Sequence, residues 1–439
     1  MKKILSLLLT ISLLTACGDD DTMPAISLGE VSISLTGASD DLAGISIVLR
    51  NTQTGSVFTS PSDSQGKATF SVTPGIYEAT ASGSRSAEGF AYLYNGTSGQ
   101  LAVMASQTTE VTIELKSART SQVVIKEVYN GGVLLDDGSK NFHFDKYIIL
   151  YNNSALKASL SNLCFGIASP YNGQANNKNI DANGHLTYES EGFTPALNGI
   201  WYFPQPLDIE PYQQVVVNVH GAIDNTQTVS QSVNFANPAY YAMYDPESGY
   251  NNTSYYPTPA DVIPTSHYLK AVRLGLGNAW ALSTTSPAVY IFQVKDALTP
   301  DAYANTEGNQ WYDGGQVTQS GICIKVPNAW IVDAVEVFSA GYKDSSVKRL
   351  TSDIDAGYVW LTGQLGHSVC RNVDKAATEA LAENEGKLVY NYHLGVDPST
   401  DPSGIDAEAS IQQGAHIVYQ DTNNSTNDFH ERQRCTLKE

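Results

Sequence analysis

Asp145-Lys146-Tyr147-Ile148-Ile149-Leu150-Tyr151-Asn152-Asn153-Ser154 is the stretch that decides the fold of the longer part of this chain. β-Branched and aromatic residues fill its centre, and Asn and Ser close it, which is how a strand running into a turn reads. Upstream, Val123-Val124-Ile125-Lys126-Glu127-Val128-Tyr129-Asn130-Gly131-Gly132 is a second run of the same kind. Downstream come Leu160 and Leu163, then Leu207-Asp208-Ile209-Glu210-Pro211-Tyr212, Val215-Val216-Val217 and Trp330-Ile331-Val332-Asp333-Ala334-Val335-Glu336. The series continues with Ser368-Val369-Cys370-Arg371 and Asp421-Thr422-Asn423-Asn424-Ser425-Thr426-Asn427-Asp428-Phe429.

The N-terminal part shows strands of a different pattern. Val31, Ile33 and Leu35 alternate with serines, Ile45, Ile47 and Leu49 repeat the alternation, and Val111, Ile113 and Leu115 close it. A period of two with one apolar face marks half-buried strands. Asp63-Ser64-Gln65-Gly66 and Pro74-Gly75-Ile76-Tyr77 are the turns between them. Residues 116–122 are polar and without apolar periodicity, and read as a linker. The predicted fold class is therefore all-β, with two β-sandwiches in series. Residues 165–200 and 221–275 form long polar excursions from the second sandwich, and segments of this length are usually functional or ordered by their own packing. The one helix predicted covers 373–388, where Ala376, Ala377, Ala380, Leu381 and Ala382 are good helix formers and Gly386 suits the position just past the end.

Two resemblances follow from these motifs. Gly44-Ile45-Ser46-Ile47-Val48-Leu49, Asp63-Ser64-Gln65-Gly66-Lys67-Ala68 and Pro74-Gly75-Ile76-Tyr77 make residues 27–116 similar to the prealbumin-like, carboxypeptidase-regulatory type of β-sandwich. That resemblance implies a spacer or docking module without catalytic residues. The ordered series from Val123 to Phe429 makes residues 123–439 resemble the lamin-tail-like β-sandwich. With Trp201-Tyr202-Phe203-Pro204 it looks like the enlarged, uncharacterised Bacteroidetes lipoprotein version of that sandwich. Ile149 stands where that pattern has Glu, and Tyr212 stands where Gly follows Pro211, so the first departure removes a carboxylate from any acidic site.

The N-terminus supplies an address. Lys2 and Lys3 precede the apolar run Ile4 to Leu14, which is far shorter than the ~20 residues a membrane-crossing helix needs. Leu14-Thr15-Ala16-Cys17 then reads as a lipoprotein signal, with residues 1–16 removed and Cys17 lipidated. Acyl chains contribute about 0.8 kcal/mol per buried methylene, so two or three hold a protein durably on a membrane. Residues 17–26 are an acidic tether, and its Gly18-Asp19-Asp20-Asp21 resembles the export signal of Bacteroidetes surface lipoproteins. The resemblance implies an outer-membrane location, facing the cell surface.

The formal charge of −20 becomes −22 once Lys2 and Lys3 leave with the signal. Such a charge repels phosphate backbones, so nucleic acid is not an expected partner. With Cys17 lipidated, Cys164, Cys323, Cys370 and Cys435 remain, an even number in an oxidising compartment, so disulfides among them are allowed in any of three pairings.

Motifs for chemistry are sparse. There is no GxSxG or S-x-x-K nucleophile. The eight histidines form no HExxH or other zinc spacing. Carboxylate pairs exist, Asp333 with Glu336 and Asp353 with Asp355, but sequence does not show whether two acids face across a cleft as a glycosidase requires. Asp421, Asn423 and Ser425 alternate as oxygen ligands do at the start of a calcium loop, although Arg432 stands where a bidentate Glu is needed; the same residues also form turns. No other cofactor is expected. Tyr240, Tyr241, Tyr244, Tyr250, Tyr255 and Tyr256 crowd one excursion, as aromatics do in loops that bind sugars or proteins, or as anchors that hold the loop on the sandwich. The expectation is a non-enzymatic, lipid-anchored surface protein that captures a nutrient or presents it to a TonB-type outer-membrane receptor. A structural or adhesive glycan-binding module is the second reading, and a hydrolase the third.

Overall fold

The structure, a computed structural model, describes residues 27–37, 42–87, 90–342 and 345–438. The signal, Cys17 and the tether therefore lie outside the described residues. The chain divides into two compact units, the first made of residues up to 83 with 94–117 and the second of residues 84–93 with 118–439.

In the first unit, Gly29–Thr36 pairs antiparallel with Lys67–Val72 and parallel with Thr108–Glu114. A second sheet runs in the order Val57–Pro61, Ser46–Asn51, Gly75–Ala87, Phe90–Thr97 and Lys116–Ser121, with Leu101–Val103 attached to Gly75–Ala87. Val31, Ile33, Ile47, Leu49 and Ile113 are completely buried, as their alternation requires. The two sequence turns are built by side chains. Asp63 Oδ1 accepts the N–H groups of Gln65 and Lys67 at 2.8 and 2.9 Å, and Gly66 takes φ +71°. Tyr77 donates its hydroxyl to the Thr73 carbonyl at 2.8 Å. Lys116–Ser121, expected as a linker, is instead a strand at the edge of this sheet. Pairing to a neighbour, rather than apolar content, holds it.

The second unit is a sandwich of two six-stranded sheets. One runs Tyr241–Ala242, Gln214–His220, Lys146–Asn152, Val123–Tyr129, Ser368–Arg371, Phe429–Arg432. The other runs Lys270–Arg273, Gly199–Tyr202, Leu163–Ile167, Ala288–Gln293, Ile331–Ser339, Val359–Leu361. Ile125, Val128, Ile148, Leu150 and Val217 of the first meet Phe165, Trp201, Val289, Ile291, Val335 and Val337 of the second in one buried cluster. Each such side chain contributes about 1.5–3 kcal/mol on burial. The central strands are buried on both faces, so they read as continuous apolar runs rather than as alternation.

A bulge shapes the central strand. Ile125 pairs with Leu150, yet Glu127 pairs with Ile149, so Lys126 is an extra residue. It turns Glu127 out of the core and brings Val128 in, re-aiming two charged side chains. Lys126 Nζ reaches Gln214 at 2.9 Å and Glu408 at 3.4 Å, and Glu127 Oε1 accepts the Thr436 N–H at 3.0 Å.

The helices are short. Pro300–Ala304, Lys375–Glu379, Ala407–Gln412 and Ser425–Asp428 are capped by Thr299, Asp374, Asp406 and Asn424, each accepting a backbone N–H. The helix expected over 373–388 is cut to Lys375–Glu379 and a single turn at Ala382–Asn384. Buried Asn384 donates to the carbonyls of Thr378 and His416 at 2.8 and 2.7 Å, a tertiary contact that outweighs the propensity of the alanines. Among the described residues no helix is long and apolar enough to cross a membrane.

Candidate functional site

The motifs that run from Ile125 to Phe429 converge on one side chain. Arg371 Nη2 donates to Asp333 Oδ2 at 2.5 Å, and its Nε donates to the Ile125 carbonyl at 2.8 Å. Nη1 donates to the Gln420 carbonyl at 2.9 Å and lies 3.4 Å from Asp421. The guanidinium stacks 4.4 Å from the Phe429 ring centroid. Asp333 Oδ2 also accepts the Ile125 N–H at 2.5 Å. The bulge is what leaves Ile125 with these backbone groups to satisfy, because pairing to Ser368–Arg371 stops at Glu127. A second bulge, at Val332, sets the angle of Asp333 on its own strand.

Beside this bracket lies a recess of about 340 Å³, lined among others by Asn328, Ile331, Asp333, Asp353, Asp421 and Asn423. That volume is at the lower end of the range for small-ligand sites, about 300–1,000 Å³. Asp353 is exposed and oriented by Asn328, whose Nδ2 donates to it at 3.0 Å. Burial pushes the Asp333 carboxyl up and Asp421 adds to this, while Arg371 pulls it down. Asp421 is raised in the same way, by burial and by Asp428, again against Arg371. Three carboxylates thus line the space, and Arg371 beside it pairs with Asp333 and Asp421 but not with Asp353, an arrangement that favours a ligand carrying positive charge.

Other predicted residues are placed differently. Asp421, Asn423 and Ser425 do not converge as calcium ligands. Asp421 turns to Arg371, Ser425 donates its hydroxyl to Asp355 at 2.6 Å, and Asn423 takes φ +53° with its carbonyl accepting from Ala356 at 2.8 Å. Asp428 closes the loop by accepting from Thr422 and Asn424. Among the described residues no group of three or more His, Cys, Asp or Glu side chains is arranged to hold a metal ion. Glu336 of the Asp333–Glu336 pair is committed to Arg349 at 2.9 Å inside the protein.

The tyrosine-rich excursion turns its rings inwards. Tyr250 and Tyr256 are buried against Trp201, at 5.7 and 5.5 Å between centroids. Tyr241 stacks on His267, Tyr244 meets Tyr268 edge-on, and Tyr255 lies edge-on to His220. Tyr240 packs against a further buried cluster around Tyr147 and Phe235. In this arrangement they anchor the loop on the sandwich. Cys164, Cys323, Cys370 and Cys435 are all buried free thiols, so the structure contains none of the disulfides that their even number allows. Burial pushes each thiol up. The histidines do not assemble: His220 bonds the Trp280 carbonyl, His367 faces Glu431 and His416 faces Glu383.

Sequence reasoning singled out Asp333, Asp353 and Asp421 but in separate motifs. Asn328 and the shared role of Arg371 carried no local signal, since their partners are remote in the chain.

Residues 210–391 match the family described as a protein of unknown function (DUF4876). No curated protein matches the chain. A crystal structure of a DUF4876 family protein from Bacteroides thetaiotaomicron is similar to it with a TM-score of 0.56 and 21% identity, over 91% of this chain and 94% of that one. A DUF3823 family protein from Parabacteroides merdae aligns over 33% of this chain and 68% of its own, at 11% identity and a TM-score of 0.15, too low to bear on the fold. The chain thus has the β-sandwich fold of its Bacteroides counterpart, and the part matched by an uncharacterised family carries Asn328, Asp333 and Asp353 of the recess and Arg371 beside it.

Proposed function

We propose that this protein is a lipid-anchored, non-catalytic binding protein of the outer-membrane surface, and that it holds a small cationic ligand in the recess of the second unit. The observation that carries the reading is the convergence of Asp333, Asp353 and Asp421 on a concave site where Arg371 pairs with the first and last and leaves the exposed Asp353 without a cation among the described residues. The signal-like Leu14-Thr15-Ala16-Cys17 supports the anchor. The lamin-tail-like reading gains support from the way its motif residues Asp333, Arg371, Asp421 and Phe429 meet in one bracket. Delivery to an uptake receptor follows if the ligand is a nutrient.

Calorimetric titration of the full chain with spermidine, a flexible polycation, tests the site. Binding in the micromolar to millimolar range, weakened by Asp353→Asn and by salt, is expected, since exposed charges are screened beyond ~10 Å at 0.1 M salt. Absence of binding at low salt removes the proposal. Incorporation of labelled palmitate, lost in Cys17→Ala, tests the anchor separately.

A further inference from the structure

The segment 420–430 has a second side. Away from the acidic recess it lines an open groove of about 370 Å³ together with Asn372, Pro398, Ser399, Thr400 and Pro402. None of the side chains lining this groove is acidic, lysine or arginine, on a chain whose acids outnumber its bases 45 to 25. Its one titratable member, His430, is held neutral: burial drives its pKa down to about 3, and Arg432 adds to the shift.

The groove is cross-tied by hydrogen bonds and carries unused hydrogen-bonding groups. Asn372 Nδ2 donates to the Asn427 carbonyl at 2.7 Å, its Oδ1 faces His430 Nδ1 at 2.7 Å, and its own carbonyl accepts the Gln420 N–H at 2.8 Å. Both ends of the segment are thereby tied to one residue. Among the described residues the side chains of Thr400, Gln420 and Asn427 have no partner, and Thr400 and Asn427 are exposed. Carboxamides offer donor and acceptor side by side, and a hydroxyl offers both in one group, which matches the vicinal hydroxyls of a sugar. Pro398 and Pro402, both exposed, supply apolar surface for its C–H faces.

An extended peptide is the other neutral ligand that amide groups recognise, and it binds by adding a strand to a sheet edge. Here the outer edge of Phe429–Arg432 is already covered: Val396 donates to the Glu431 carbonyl at 3.1 Å and Gln433 to the Leu394 carbonyl at 2.8 Å. We propose that this groove is a binding site for a neutral saccharide, independent of the acidic recess.

Titration of the full chain with maltotriose, xylotriose and diacetylchitobiose, each to about 10 mM, covers the weak affinities expected of a site with few hydrogen bonds. At least one is expected to bind. Gln420→Ala and Asn427→Ala, which remove groups without internal partners, each weaken that binding about five- to tenfold. Gln412→Ala, an exposed change outside the groove, leaves it intact, and an unaltered thermal melt shows that the variants remain folded. No binding by any of the three sugars overturns the proposal. So does binding indifferent to both variants, or preferential binding of tetra-alanine.

Discussion

Replacing Arg371 with Ala removes the hub of the bracket in the second unit. The guanidinium is almost wholly buried, and it serves Asp333, Asp421 and the carbonyls of Ile125 and Gln420 at once. Removing one partner of a buried ion pair costs about 3–5 kcal/mol, because the other charge stays buried without compensation. The loss depends on pH with a definite sign. Asp333 and Asp421 already have folded pKa values above their ordinary 3.8, and Arg371 is the group that opposes this rise. A carboxyl with a raised folded value favours the native state below its ordinary pKa, and this is lost as pH rises through the folded value. Without Arg371 that window extends upwards, so the deficit widens with pH by up to ~1.4 kcal/mol per unit for each group. All five tryptophans, Trp201, Trp280, Trp311, Trp330 and Trp360, lie in the second unit, so their fluorescence in a denaturant titration isolates its transition. Amide exchange at Ile125, whose N–H is held by Asp333, gives a local readout. A deficit under about 1 kcal/mol, or one that is equal at pH 5 and pH 8, would refute the reasoning, since such values are ordinary for surface changes.

Burial lowers the Lys146 pKa from 10.5 to about 7, with its ammonium bonded to the Leu282 carbonyl and Thr284. The folded chain then binds fewer protons than the unfolded one between those values, so wild-type stability rises with pH across that window, and Lys146→Met should flatten the rise in a pH series of melts. A thiol reagent should leave Cys164, Cys323, Cys370 and Cys435 unmodified in the native protein and label all four in denaturant without reductant, whereas any disulfide lowers that count by two. Tyr256→Ala should destabilise the second unit by about 3–5 kcal/mol as a core truncation, while Tyr390→Ala, 55% exposed, should change it little.

The strands of both units are legible in the sequence because the pattern that buries a side chain is local. Ile33 and Ile47 announce themselves by their neighbours, and so do Ile148 and Leu150. What was not legible depends on remote partners. Residues 116–121 are too polar to read as a strand, and only the adjacent strand makes them one. Asn384 breaks the alanine-rich helix through a carbonyl at residue 416. The tyrosines of 240–256 are chemically suited to a binding surface, but Trp201, whose strand lies outside that excursion, draws two of them inwards. The acid recess was half visible: its aspartates stood out individually, but Arg371 brings Asp333 and Asp421 together and Asn328 holds Asp353.

The bulged strand Val123–Tyr129 occupies the middle of its sheet, yet the groups that satisfy Ile125 arrive with Arg371, 246 residues later. At a synthesis rate of about 5–20 residues per second, those residues take roughly 12–50 s to appear. During that time the strand carries one edge without its native neighbour, and open edges of apolar strands recruit other chains. A nascent chain of this protein therefore has a long interval of vulnerability to aggregation. Its sheet cannot be completed in steps from the N-terminus, and folding has to wait for nearly the whole polypeptide.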